Sequence, residues 1–293
     1  MGTIGIIGGG ALGTLFASRL GAGGAVVRLL VRSEARRNLL ARDLPSVETC
    51  EDPRALREAA FVLVCVKAYH TAEVAEALAR SGLRGCAVVS LQNGWGNLET
   101  LAGALPDLPL LAGATSLGAY LDDRGALHAT DRGETLIAPW RRDDAPAAER
   151  LAECLRGAGL KAETRPEARP VLWRKLVLNS AVNPVTALVR RENGALLRDP
   201  PVLAIAVRAA EEAARVGWNL ELLDPDFDPD ASLRRILEET AENRSSMLED
   251  LLHGRRTEVE SITGAVVRLA RETAEPAPVQ EALLTLVRAA ERP

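Results

Sequence analysis

Lysine is nearly missing from this sequence. Of its 36 lysines and arginines, only Lys67, Lys161 and Lys175 are lysines. Almost every cation is therefore a guanidinium, which stays charged and cannot act as a proton donor of tunable pKa. Paired cysteines are missing too. Cys50, Cys65, Cys86 and Cys154 lie far apart, with no C-x-x-C pair, which argues against structural metal and for a reduced, cytoplasmic setting. Cys65 and Cys86 fall in apolar strand-like runs and are expected to serve as small hydrophobes. No run reaches the ~18 apolar residues of a membrane span. The start, Met1-Gly2-Thr3-Ile4-Gly5, is strand-like and has no basic leader. A net charge of -4 gives neither nucleic acid nor an anionic membrane a reason to bind. His70, His128 and His253 have no G-x-S-x-G partner, which argues against a nucleophilic hydrolase.

What is present suits two domains. At 293 residues, with 47% hydrophobic and 26% charged residues, the chain can build two sizeable cores. Thr3 to Ile7 reads as a strand, followed by Gly8, Gly10 and Gly13 at G-x-G-x-x-G spacing and a helix from Thr14 to Leu20. Such a loop turns tightly, admits a pyrophosphate and places its charge on free helix N-H groups. A plain glycine turn is the bland alternative. A second strand, Ala25 to Val31, ends in Arg32, with Ser33, Arg36 and Arg37 close behind. An acidic residue would meet a ribose 2'-hydroxyl there; arginines suit a 2'-phosphate, so the expected cofactor is NADPH. Asn38 to Glu51 shows only a helix end and a connection.

Ala60 to Val66 is a continuous apolar run, as a parallel strand buried on both faces should be. It ends in Lys67, ahead of a helix from Thr71 to Arg80. The strand Cys86 to Leu91 ends in Gln92-Asn93-Gly94. Ligands bind beyond the carboxyl ends of such strands, which makes Lys67 and Asn93 candidates; a helix cap and an Asn-Gly turn are the alternatives. Leu110 to Leu117, Ala126 to Thr130 and Glu134 to Ala138 read as three more strands forming an antiparallel edge, with turns at 122–125 and 131–133. A helix from Ala145 to Ala158 and the run Lys161 to Thr164 close this half. The expected class is α/β: a Rossmann-type dinucleotide-binding domain over 1–167, then an all-α domain over 168–293.

In the second half, helical patterns run over 171–190, about 200–217, about 231–252, about 257–273 and 278–290. The first places Lys175, Asn179 and Asn183 on one face of an otherwise apolar helix. Polar groups there need partners, which a ligand or a snorkelling geometry could supply. Gly254 is expected to end one helix, with the next starting near Thr257, so that Glu258 can fold back toward Lys175. An exposed charged face containing Arg255, Arg256, Glu258 and Glu260 is the alternative.

Gly8 to Gly13 with Ala11-Leu12 inside, Lys67-Ala68, Asn93-Gly94, Leu172-Trp173-Arg174-Lys175-Leu176, Asn179, Asn183-Pro184-Val185-Thr186-Ala187, Ser245-Ser246-Met247-Leu248 and Gly254 to Glu258 together resemble the ketopantoate reductase family over nearly the whole chain. That resemblance implies reduction of 2-dehydropantoate to pantoate with NADPH, on the way to pantothenate and coenzyme A. It implies Lys175 as general acid and Glu258 as its orienting partner. It also implies substrate binding by Asn93, Asn179, Asn183 and Ser246, and cofactor binding by Gly8, Gly10, Ala11, Leu12, Gly13, Arg32, Lys67 and Asn93, with no metal. The expected partner is a small 2-keto acid, and the expected assembly a monomer or homodimer. Two departures stand out: the segment 38–51 looks shorter than in relatives, and Thr263 stands where the family more often has Asn. The runner-up readings are a reductase of another branched or aromatic 2-keto acid and a non-catalytic NADP(H) regulator.

Overall fold

Apolar residues at strand spacing in the first half and at helix spacing in the second give two compact units, each with its own core. The computed structural model describes residues 2–130 and 133–291, so Asp131 and Arg132 of the expected 131–133 turn lie outside the described residues. One unit comprises Met1–Gln92 with Asn97–Val171, the other Asn93–Gly96 with Leu172–Pro293. Among the described residues no helix is long and apolar enough to cross a membrane.

The first unit is built on an eight-stranded sheet. Its strands are β1 (Thr3–Ile7), β2 (Val27–Leu30), β3 (Val47–Cys50), β4 (Ala59–Val64), β5 (Ala87–Ser90), β6 (Leu110–Thr115), β9 (Thr135–Pro139) and β10 (Ala162–Thr164), in the order β10-β9-β6-β5-β4-β1-β2-β3. The run β3-β2-β1-β4-β5-β6 is parallel and has the doubly wound dinucleotide-binding order. Strands β5 and β6 are buried at every residue, as a sheet covered on both faces demands. Helices α1 (Ala11–Ala22), α2 (Glu34–Asp43), α3 (Thr71–Ser81), α4 (Asn97–Ala104) and α5 (Ala145–Gly157) belong to the same unit.

Two expectations are corrected here. Residues 38–51 hold more than a connection, because Val47–Cys50 forms the edge strand β3, with Val47 opposite Val27. Only Val47 of its four residues is buried, so an apolar pattern hardly exists, and an Arg28–Glu48 pair at 3.1 Å joins β3 to β2 from outside. The strand expected at 126–130 does not join the sheet. Leu127–Ala129 (β8) pairs with Ala119–Leu121 (β7) as a separate two-stranded ribbon. Asp122 closes it: its carbonyl accepts from Gly125 N-H and its carboxylate from Ala126 N-H, both at 2.8 Å. Antiparallel pairing to β6 falls to β9 alone, and β10 runs parallel to β9.

The second unit contains α6 (Ala168–Val189) from Leu172 onward, α7 (Pro200–Asn219), α8 (Pro229–Glu239), α9 (Ser246–Leu252), α10 (Thr263–Glu272) and α11 (Pro278–Ala290). The helix expected over 231–252 is broken. Asn193 and Gly194 N-H groups take the carbonyls of Asn243 and Ala241, the Asn193 amide donates to the Thr240 hydroxyl, and Ser245 restarts the chain as N-cap of α9. Gly254 does end α9, two residues past Leu252, at φ 62, a conformation glycine adopts freely. The next helix starts at Thr263, however, and not near Thr257. Residues 257–262 form a tight turn in which the Thr257 hydroxyl accepts from Val259 N-H and the Glu258 carbonyl from Ser261 N-H.

Candidate active site

In the helical unit, α6 is the helix around which the candidate residues gather. Trp173, Leu176, Val177, Ala181, Val182 and Val185 are buried and commit most of its circumference to packing. Trp173 donates to the Ala213 carbonyl at 3.1 Å and meets Trp95 edge to face at 5.0 Å, a favourable aromatic geometry. A Cβ at Gly217 would overlap the Trp173 ring nitrogen, so glycine is what lets α7 approach. Arg174, one residue on, points outward to Asp224 at 2.6 Å.

Lys175 keeps part of its surface accessible while protein crowds its ammonium. Desolvation lowers its pKa from 10.5 to about 8, and the nearby Glu258 carboxylate pulls the other way. That opposition places Glu258 within coulombic reach of Lys175, as the fold-back expectation required. Asn179 and Asn183 follow on the same helix. Asn183 is buried, and no side-chain hydrogen bond ties up either amide among the described residues.

The turn carrying Glu258 is held from several sides. Trp95 N-H donates to the Ser261 carbonyl at 2.8 Å. Gly94 sits at φ 87, where a Cβ would stand 2.5 Å from that same oxygen. Asn93 is thereby tethered to the helical unit, although it follows β5 in sequence. Glu291 accepts from Thr257 N-H at 2.7 Å. Thr263, fully buried just beyond the turn, has a hydroxyl with no hydrogen-bond partner among the described residues. Ser246 is exposed at the first turn of α9; its neighbour Ser245 is the buried one, bonded to Thr186 at 2.8 Å and capping Leu248 N-H.

In the first unit, Gly8 has φ 111, and a Cβ at Gly13 would overlap the Gly8 carbonyl oxygen, whereas one at Gly10 would meet nothing within 4 Å. Gly10 is the N-cap of α1 with no side-chain cap bond, and Ala11 and Leu12 open that helix. The first turn of α1 thus has no side-chain cap and open space beside Gly10, an arrangement that fits a dinucleotide pyrophosphate on the helix N-terminus. Lys67 starts the 3-10 turn 68–70 without capping it by its side chain. Arg32 is exposed and paired with Glu73 at 2.6 Å, so a 2'-phosphate there would have to displace that carboxylate.

Some residues around these candidates have roles that the sequence did not give. Gln92 donates to the Val66 carbonyl at 3.1 Å and to Thr71 at 2.8 Å, and Thr71 donates to Asn97 at 2.8 Å. This buried network fixes the carboxyl ends of β4 and β5; a glutamine closing an apolar run was its only trace. Arg36 reaches the Gly9 carbonyl. Burial disfavours the thiolate at every cysteine: it pushes the Cys65 thiol up to about 12 and the Cys50 thiol up to about 11, and raises Cys86 and Cys154 as well.

Comparison with known proteins gives a consistent result. The family described as "Ketopantoate reductase PanE/ApbA" matches residues 4–142, and "Ketopantoate reductase PanE/ApbA C terminal" matches residues 167–291. A 2-dehydropantoate 2-reductase of Archaeoglobus fulgidus is 36% identical over 98% of this chain and 97% of its own length. A crystal structure of a PanE/ApbA family ketopantoate reductase from Ralstonia eutropha JMP134 superposes with TM-score 0.86 at 29% identity, covering 99% of this chain and 98% of the other. A ternary structure of D-mandelate dehydrogenase with NADH and anilino(oxo)acetate superposes with TM-score 0.90 over 99% and 98%. At 21% identity that last likeness concerns the fold alone.

Proposed function

The chain belongs to the ketopantoate reductase family, and from that premise we propose that it reduces 2-dehydropantoate to pantoate with NADPH, Lys175 acting as general acid. The observation that carries this reading is the Lys175 ammonium, brought down to about 8 by desolvation and opposed by Glu258. A group with that pKa is mostly protonated at neutral pH and still gives up its proton readily, as a general acid must.

The nicotinamide cofactor, when bound, supplies the hydride. The residues of the chain do the rest. Lys175 Nζ holds the proton that neutralises the alkoxide oxygen as the carbonyl is reduced, and its positive charge stabilises that oxygen beforehand. Glu258 keeps Lys175 charged and orients it. Asn179 and Asn183, whose amides carry no side-chain hydrogen bond among the described residues, hold the substrate with Asn93 and Ser246. The loop Gly8 to Gly13, with Ala11 and Leu12, receives the pyrophosphate on backbone N-H groups. Lys67, Asn93 and Arg32 complete the cofactor contacts, Arg32 on the 2'-phosphate once released from Glu73. On this reading residues 1–167 are the NADP-binding domain and 168–293 the substrate and catalytic domain, working in the cytoplasm as a monomer or homodimer.

The test is NADPH oxidation with 2-dehydropantoate and with a panel of branched and aromatic 2-keto acids, for wild type and Lys175→Ala. The expected result is preference for 2-dehydropantoate and a rate loss of ~100-fold or more in the variant. Faster turnover of an aromatic keto acid would move the substrate assignment, and unchanged turnover in the variant would remove Lys175 from the proton transfer. Absence of turnover on every keto acid would leave a cofactor-binding regulator.

A further inference from the structure

Arg36 lies near the start of α2, and one guanidinium joins three separate segments. Its Nε donates to the Gly9 carbonyl at 2.9 Å, inside the glycine loop. Its Nη2 donates to the Thr14 hydroxyl at 3.0 Å, in the first turn of α1. Its Nη1 donates to the Gly125 carbonyl at 2.8 Å, at the tip of the β7–β8 ribbon. The ribbon also packs along α1. Gly125 has φ 78, and a Cβ there would stand 2.6 Å from Leu39 and 3.0 Å from Arg36 Nη1. Glycine therefore lets the tip come down on α2 where Arg36 can reach it.

We propose that Arg36 is a positioning residue for the cofactor site: a strap that fastens the ribbon to the glycine loop and sets the loop in its binding conformation before the dinucleotide arrives. The proposal rests on the dinucleotide reading given above. A loop with three consecutive glycines, Gly8 to Gly10, has much conformational freedom to lose on binding, and a loop already fixed loses less at that moment. Divergent bonds to two carbonyls and a hydroxyl need the planar fork of arginine, which a lysine ammonium cannot reproduce. Each of these partners is part of the chain itself, so the strap acts on pyrophosphate binding in general and not on the 2'-phosphate.

The test is fluorescence titration of the full-length protein with NADPH and with NADH, for wild type, Arg36→Ala, Arg36→Lys and Gly125→Ala, together with amide hydrogen exchange of residues 119–129 in cofactor-free protein. Both dissociation constants should rise by the same factor, about tenfold for Arg36→Ala, the equivalent of one lost charged hydrogen-bond set. Lysine should not restore them, Gly125→Ala should raise them as well, and ribbon amides should exchange faster in all three variants. A rise confined to NADPH would make Arg36 a reader of the 2'-phosphate and overturn the strap. Tight wild-type binding left unchanged in Arg36→Ala and Arg36→Lys would overturn it also. Wild-type protein that bound neither cofactor would instead sink the dinucleotide reading, and the strap with it.

Discussion

Lys175 is subject to two opposed forces, and the balance between them predicts a pH profile. Desolvation favours the neutral amine and the Glu258 carboxylate favours the ammonium. With Lys175 as the acid proposed above, reduction needs the protonated form, so the rate should hold at low pH and fall as pH rises through about 8. Glu258→Gln removes the force that raises the pKa, and the falling limb of kcat should move to lower pH. A limb that stayed in place, or moved up, would show that Glu258 does not act on Lys175 through its charge. Thr263 is the other residue whose surroundings make a prediction. Its hydroxyl is fully buried and has no hydrogen-bond partner among the described residues, and such a group costs free energy that an isosteric methyl would not. Thr263→Val should raise stability by about 1 kcal/mol, read as a higher urea midpoint at unchanged m. A lower midpoint would mean that the hydroxyl has a partner in solution.

At the scale of elements, α11 begins without an N-cap side chain of its own. Glu212 on α7 does that work: its two carboxylate oxygens accept from Val279 N-H at 3.0 Å and Gln280 N-H at 2.9 Å. Glu212 is only 3% exposed, so truncation to alanine leaves two donors without acceptors and should cost about 3 kcal/mol. Glu212→Gln keeps one carbonyl acceptor and should cost less. Equal urea midpoints for wild type and Glu212→Ala would rule this cap out. The same element scale shows what the sequence made legible. The stripe Lys175, Asn179, Asn183 followed from helical spacing, and the end of α9 from Gly254, because local geometry decides both. The break between α8 and α9 was hidden because Asn193 and Gly194, far away in sequence, take the carbonyls that a continuous helix would use. Strand β3 was hidden because an edge strand with one buried residue has no apolar pattern to read. The Arg36 strap was hidden for the same reason as the break, its Gly125 partner lying 89 positions away.

At the scale of the whole molecule, each of the two units has its own hydrophobic cluster, one centred on Trp173 and α7, the other on the sheet and α5. A ligand that binds only folded protein stabilises it by an amount that grows with the logarithm of its concentration relative to its dissociation constant. At 100 times its dissociation constant NADPH should therefore add about 2.7 kcal/mol if the chain unfolds in one step. Calorimetry checks this: a scan with two transitions, only one of them moved by NADPH, would show that the two cores melt separately. The arginine-for-lysine composition has a practical consequence as well. With ε-amines only at Lys67, Lys161 and Lys175, an acylating or reductively methylating reagent meets very few targets on this protein. Desolvation makes the Lys175 amine easier to deprotonate than an ordinary lysine, so this chain lends itself to isotopic tagging at that amine, with the tag's resonance reporting the proton directly.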